Sequence, residues 1–323
     1  MKTLAKGAAV GNAFLDEGRA LAAPGWIKAT FRLTEEQTDG DVRIMSGADA
    51  MLISVRVQGA VWLDSPSFER ATSEAYAKVW ESVRGMHPVR FWNHIPAIHA
   101  VMDAERDRYM VFNAGRFHAF ENWYGSADAF SRYVATASGV GHSGSDLVIH
   151  CLATREPGVA VENPRQIAAY KYSRRYGPLP PCFARATKVK HAEEELLLVG
   201  GTASICGEDS VHVESVSLQL DETFENLATL VDASRPSPLP FPSRSAGTPY
   251  GRGENAPPTS QAGLEVALSH YRYLRVYYRH NRDVRQITDA VTNAMPRLLS
   301  VEYIQAELCR QELLAEIEGL AHL

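Results

Sequence analysis

Between positions 67 and 85 the apolar residues Ala71, Ala75, Tyr76, Val79, Trp80 and Val83 return at spacings of three and four, with charges between them. That is the stripe of an amphipathic helix. Around it, apolar runs rich in β-formers at 50–58, 109–112 and 146–153 are bounded by Gly and Asp turn residues and predict strands. The turn Glu156-Pro157-Gly158 interrupts this pattern, and a second set of elements begins with a strand-like run at 166–172. We place the boundary of an N-terminal unit, 1–157, and a C-terminal unit, 158–323, at this turn. Further strands are expected at 183–189, 195–203 and 210–216, then a helix at 223–231. From 234 to 261 the density of Pro, Ser and Gly, including Pro236, Pro238, Pro240, Pro242, Pro249, Pro257 and Pro258, predicts a long loop. A tolerated surface insertion is the favoured reading of it over a substrate lid. Beyond it, 274–279 reads as a strand, and Val284, Ile287, Ala290, Val291 and Met295 form one face of a helix over 283–295, closed by Pro296. The last stretch, 301–320, is rich in Glu, Gln, Ala and Leu, so propensity alone predicts one helix. Strands followed by helices predict an α+β fold with helices on one face of a sheet.

At 323 residues the chain exceeds the usual single domain, which fits two units. Hydrophobic residues make up 45% and charged residues 22%, enough apolar side chain for an ordinary core. The formal charge of −5 supplies no positive field for nucleic acid or an anionic membrane, so neither is an expected partner. Cys151, Cys182, Cys206 and Cys309 are scattered without a CxxC pair, which argues against a zinc ribbon or a disulfide framework and for reduced thiols. No apolar stretch approaches the length of a spanning helix, and a cytoplasmic location is expected.

Familiar cofactor signatures are missing. The 11 histidines form neither HExxH nor a finger-like pair with cysteine, so no metal is expected. Gly200-Gly201-Thr202-Ala203-Ser204 follows an apolar run but fits neither a phosphate loop nor a dinucleotide fingerprint. In Gly139-Val140-Gly141-His142-Ser143-Gly144 a histidine occupies the place a nucleophile elbow gives to serine. No cofactor is expected.

Clusters that mix Arg with aromatic residues remain: Arg90-Phe91-Trp92-Asn93-His94-Ile95-Pro96, Arg108-Tyr109-Met110-Val111-Phe112-Asn113-Ala114-Gly115-Arg116, Asn163-Pro164-Arg165-Gln166, Tyr176-Gly177-Pro178 and Phe183-Ala184-Arg185-Ala186. With Gly200-Gly201-Thr202-Ala203-Ser204 and the ending Ala306-Glu307-Leu308-Cys309-Arg310-Gln311-Glu312-Leu313-Leu314-Ala315-Glu316-Ile317-Glu318-Gly319, the chain resembles the chorismatase family over roughly 79–319. The resemblance implies two α+β units of YjgF/RidA-like (chorismate-mutase-like) fold, the N-terminal one divergent. It also implies that 301–320 is a pair of strands, against its helical propensity. It further implies removal of pyruvate from chorismate without a cofactor. Subunits of that fold commonly form trimers, but a fused pair can satisfy part of that interface internally, so a pseudo-trimer-like monomer and a homo-oligomer both stand.

Cleaving the enolpyruvyl ether requires a proton on the terminal methylene carbon, and a carboxylic acid held neutral by burial is a suitable donor. By resemblance that donor is Glu316, and strand alternation leaves Glu318 on the same face; residues alone would have favoured an outward polar stripe. Substrate carboxylates call for forked cations, for which Arg185 and Arg279 are the candidates, each in a strand-like run near aromatics, though either equally fits a packed surface role. Tyr170 and Tyr176 are candidate hydrogen-bonding partners or core residues, and Gly201, Thr202 and Ala203 are expected to let backbone approach the substrate. Cys309 resembles the members that form 3-hydroxybenzoate, whereas hydrolysis to a dihydroxycyclohexadiene carboxylate and mixed 3-/4-hydroxybenzoate formation are the alternatives. A small buried hydrophobe is the bland reading of that cysteine. A non-catalytic YjgF-like protein that binds small carboxylates is the reading from another class.

Overall fold

The computed structural model describes residues 11–15, 20–235 and 260–323; most of the loop expected at 234–261 lies outside the described residues. The strands are β1 (Gly11–Phe14), β2 (Glu35–Asp39), β3 (Val42–Ser46), β4 (Ala50–Val57), β5 (His87–Pro96), β6 (Thr136–His142), β7 (Leu147–Thr154), β8 (Val159–Val161), β9 (Ala186–His191), β10 (Glu194–Thr202), β11 (Ile205–Cys206), β12 (Asp209–Ser210), β13 (Tyr271–Tyr278), β14 (Ser300–Gln305) and β15 (Ala315–His322). The longer helices are α1 (Ser65–Ser82), α2 (Arg108–Tyr124), α3 (Val216–Ser234), α4 (Gln261–Leu268) and α5 (Val284–Ala294). A six-stranded sheet runs β2-β3-β4-β7-β5-β6 and a seven-stranded sheet runs β1-β14-β13-β15-β10-β9-β8. The turn at 156–158 thus falls between the last strand of the first sheet and β8 of the second, but β1 crosses that division and pairs in parallel with β14.

The period-2 alternation of strand side chains explains the layering. On β4 and β7, Met51, Ile53, Val55, Leu147, Ile149, Cys151 and Ala153 face one core, which Phe68, Tyr76 and Val79 of α1 and Val111, Phe112 and Phe120 of α2 complete. On β10, β13 and β15, Leu197, Val199, Leu274, Val276, Ala315 and Ile317 face a second core with Leu227 and Val231 of α3 and Ile287 and Val291 of α5. Each sheet therefore carries its longer helices on one face, as an α+β fold requires. The remaining faces meet: Leu52, Trp92 and Leu152 from the first sheet pack with Leu196, Leu198 and Leu320 from the second.

Three expected strands are absent. The run at 109–112 lies in α2, whose N-terminus Asp107 caps by accepting from the Met110 N–H at 2.8 Å. An apolar run of that length fits a buried helix as well as a strand, and the cap decides it. Residues 166–172 form no strand but a single bridge, Gln166 to Gly207, and the helical turn Ala169–Lys171. The run at 210–216 is split between β12 and the start of α3, where the Ser215 side chain accepts from the Leu218 N–H. The helix expected at 223–231 is correspondingly longer. The final stretch is two strands: β15 lies between β13 and β10, and two neighbouring ladders outweigh its helical propensity.

Candidate active site

A cavity of about 320 Å³, at the small end of the range for small-molecule sites, opens where the two sheets meet. The N-terminal half contributes Tyr109 and Met110 from the first turn of α2, with Asp107 and His99 beside them; the C-terminal half contributes Tyr172, Tyr176, Phe183, Arg185, Gly201, Ala203, Cys309, Arg310 and Glu316. The junction is stitched by backbone: Gly141 N–H donates to Glu307 C=O at 2.7 Å, and Ala184 N–H to Ala135 C=O at 3.1 Å.

Alternation along β15 sends Ala315 and Ile317 to the helix side, and Glu316 and Glu318 to the inner face. Both carboxyls are buried, Glu316 at 3% exposure and Glu318 at 1%. Their surroundings differ sharply. Glu318 accepts from Arg90 Nη2 at 2.6 Å, Trp92 Nε1 at 2.9 Å, Tyr277 OH at 3.2 Å and the Ser138 hydroxyl. Glu316 lines the cavity, and its Oε1 has no hydrogen-bond partner. Burial, and then the charge of Glu318, push its pKa up to about 8, opposed by Arg90 and Arg185. Glu316 is therefore a neutral acid at pH 7, carried at the wall of a cavity. Its neighbour across the β10 bulge is Gly201, where any Cβ would overlap Glu316 Oε1, so the close approach is open to glycine alone.

Arg185 lies at the cavity just before β9, donating from Nη2 to Tyr172 OH at 2.6 Å and to Ile167 C=O at 3.0 Å, with its guanidinium 5.2 Å from the Phe183 ring centroid. Its Nε is buried without a partner. Arg279 stands away from the cavity: it follows the end of β13, and its backbone pairs with Leu314 C=O at 3.1 Å. The second cation at the wall is Arg310, stacked 4.0 Å over the Tyr176 ring and donating to Glu208 C=O at 2.8 Å. Tyr176 lines the cavity and donates its hydroxyl to Glu208 C=O at 2.6 Å, whereas Tyr170 packs against the first core. Of the glycine-rich turn, Gly201 and Ala203 face the cavity, while the buried Thr202 donates its hydroxyl back to Gly200 C=O at 2.9 Å. Arg310 and Tyr172 were not singled out from the sequence; Arg310 directly follows Cys309, and that adjacency was the available signal.

Cys309 lines the same cavity, and burial, then the nearby Glu316, push its thiol up to about 12. It is a thiol and not a thiolate at neutral pH. Tyr109, at the same cavity, is likewise held protonated by burial.

The chain is similar to known proteins in sequence and in fold. Residues 26–153 match the family described as chorismatase FkbO/Hyg5-like, N-terminal. A 3-hydroxybenzoate synthase of Streptomyces hygroscopicus is 30% identical over 261 residues, covering 78% of this chain and 69% of its own length. A chorismatase of Streptomyces rapamycinicus is 28% identical over 236 residues, covering 72% of this chain and 63% of its own length. A crystal structure of a chorismatase superposes with a TM-score of 0.71 at 24% identity, over 90% of this chain and 80% of that one, so the fold is shared. With a relative 30% identical over 78% of this chain and 69% of its own length, and a family match at 26–153, the chain belongs to the chorismatase family.

Proposed function

We propose that this protein converts chorismate to 3-hydroxybenzoate and pyruvate, with Glu316 as the proton donor. The observation that carries this reading is a buried carboxyl with an unpaired oxygen, its pKa pushed up by burial and by Glu318, at the wall of a small cavity that also holds two arginines. Chorismate has two carboxylates, and Arg185 and Arg310 supply forked donors for them, each already oriented by an aromatic ring. Glu316 delivers its proton to the methylene carbon of the enolpyruvyl ether, and the resulting oxocarbenium ion is open to attack by oxygen. Cys309, uncharged and compact, occupies the wall beside the reacting group and favours capture within the substrate over capture by water. When the neighbouring ring hydroxyl is the captor, its ring C–O bond then breaks and a ring proton is lost to the Glu316 carboxylate. The three-carbon unit departs with that oxygen as pyruvate, leaving 3-hydroxybenzoate, in line with the name of the Streptomyces hygroscopicus relative. Hydrolysis to a dihydroxycyclohexadiene carboxylate is the rival outcome, and mixed 3-/4-hydroxybenzoate formation is a third. The chemistry requires no cofactor. Cys151, Cys182 and Cys309 as free thiols support a reducing, cytoplasmic setting.

The test is incubation with chorismate and chromatography of the products. Equal amounts of pyruvate and 3-hydroxybenzoate are expected; pyruvate with a diene acid would move the protein to the hydrolytic branch, and no pyruvate would remove the activity. Glu316→Gln keeps the shape but not the proton, so turnover at pH 7 is expected to fall by about 10²- to 10⁴-fold while chorismate still binds. Comparable turnover in that variant would take Glu316 out of the mechanism.

A further inference from the structure

Glu318 touches nothing in the cavity, yet it has the most elaborate surroundings of any carboxylate near it. It shares the inner face of β15 with Glu316, two residues along the strand. Its two oxygens receive hydrogen bonds from Arg90 and Trp92 on β5, Ser138 on β6 and Tyr277 on β13. Three of these four donors belong to the other half of the chain. Ser138 also accepts from Arg90 Nη2 at 2.5 Å and from Gly201 N–H at 2.9 Å, so its single proton goes to Glu318. The same serine thus fixes the glycine that lies against Glu316.

We propose that Glu318 is the positioning residue of the site: a standing anion, assembled by both halves of the chain, that holds the reactive proton on Glu316. The proposal rests on the reading of Glu316 as proton donor. Two carboxyls on one dry face do not both ionise readily. Where one oxygen pair has four donors and the other carboxyl has an oxygen with none, the charge settles on the first and the proton on the second. The other groups facing Glu316 do not supply this effect. Arg90 from β5 and Arg185 from the loop before β9 are cations and favour its ionised form. Tyr277 from β13, Tyr109 from α2 and Cys309 are kept uncharged by burial. Glu318 is the remaining anion on that list, so its charge opposes the two arginines.

The experiment is the pH dependence of kcat/KM on chorismate for the intact protein and three variants, each checked for folding by thermal melting. The wild-type profile is expected to be flat at low pH and to fall as pH rises through about 8, where Glu316 loses its proton. Glu318→Gln removes the anion, so the fall should move to lower pH by about one unit or more, with activity recovered at pH 5.5. Arg90→Gln removes a cation and should move the fall upward. The Arg90 shift reports the opposing cation; Ser138→Ala, which removes a donor to Glu318, should move the fall to lower pH and decides if Glu318→Gln does not fold. A purely structural role lowers the plateau at every pH and leaves the limb in place; that result in a folded variant overturns the proposal for Glu318 only. A Glu316→Gln enzyme with wild-type turnover and the same pH limb would instead overturn the donor assignment beneath it.

Discussion

Cys309 shows how much a single side chain depends on its setting. A thiol pushed up to about 12 is not a nucleophile at neutral pH, so any influence on the product comes through shape, exclusion of water and weak hydrogen bonding. Cys309→Ala leaves space for a water molecule beside the reacting group. It is expected to divert product from 3-hydroxybenzoate to the diene acid, read as a changed ratio by chromatography; an unchanged ratio and rate would return Cys309 to simple packing. At this scale the sequence was readable only where residues sat in a specific motif. Glu316 and Cys309 were found through the ending 306–319, and the structure puts both at the cavity. An arginine among aromatics is a weaker signal: Arg185 and Arg279 looked alike, and only the fold separates the one that lines the cavity from the one that follows a strand end.

Elements were legible where periodicity was long and obscure where it was short. The stripe at 67–85 became α1, and the face at 283–295 became α5. The runs at 109–112 and 166–172 were too short for period to discriminate, and caps and tertiary contacts decided them. The ladder of β10 and β15 is the element pair on which the site depends. Its register shifts between Val199 and Thr202, and within that bulge Gly201 brings backbone against the acid. Gly201→Ala should displace the Glu316 carboxyl, lowering kcat about a hundredfold and costing about 1–3 kcal/mol of stability by overpacking. Steady-state kinetics and a melting curve check both; wild-type kcat with a normal melt would show that the carboxyl has room to move.

At the scale of the whole molecule, the two sheets share one buried layer. Trp26, Trp92 and Leu152 on one side meet Leu198 and Leu320 on the other, so neither half has a complete surface alone. This dependence was not legible in the sequence, because the apolar residues of the shared layer read as ordinary alternation within each strand. All 5 tryptophans precede residue 124. Leu198→Ala, a change in the second sheet, is expected to cost about 2–5 kcal/mol and to lower the melting midpoint reported by tryptophan fluorescence from the first. A fluorescence midpoint that stays put while far-ultraviolet circular dichroism shifts would mean that the halves melt separately.

The strand Gly11–Phe14 gives this coupling a direction in time. It runs beside Ser300–Gln305 in the second sheet, so everything from β2 to β13 is translated between it and its partner. Until β14 emerges, that strand has no ladder to join, and the edge it will cover is not yet built. Synthesis of the whole first sheet thus precedes closure of this edge, and a nascent chain that stalls after that sheet carries β1 unpaired.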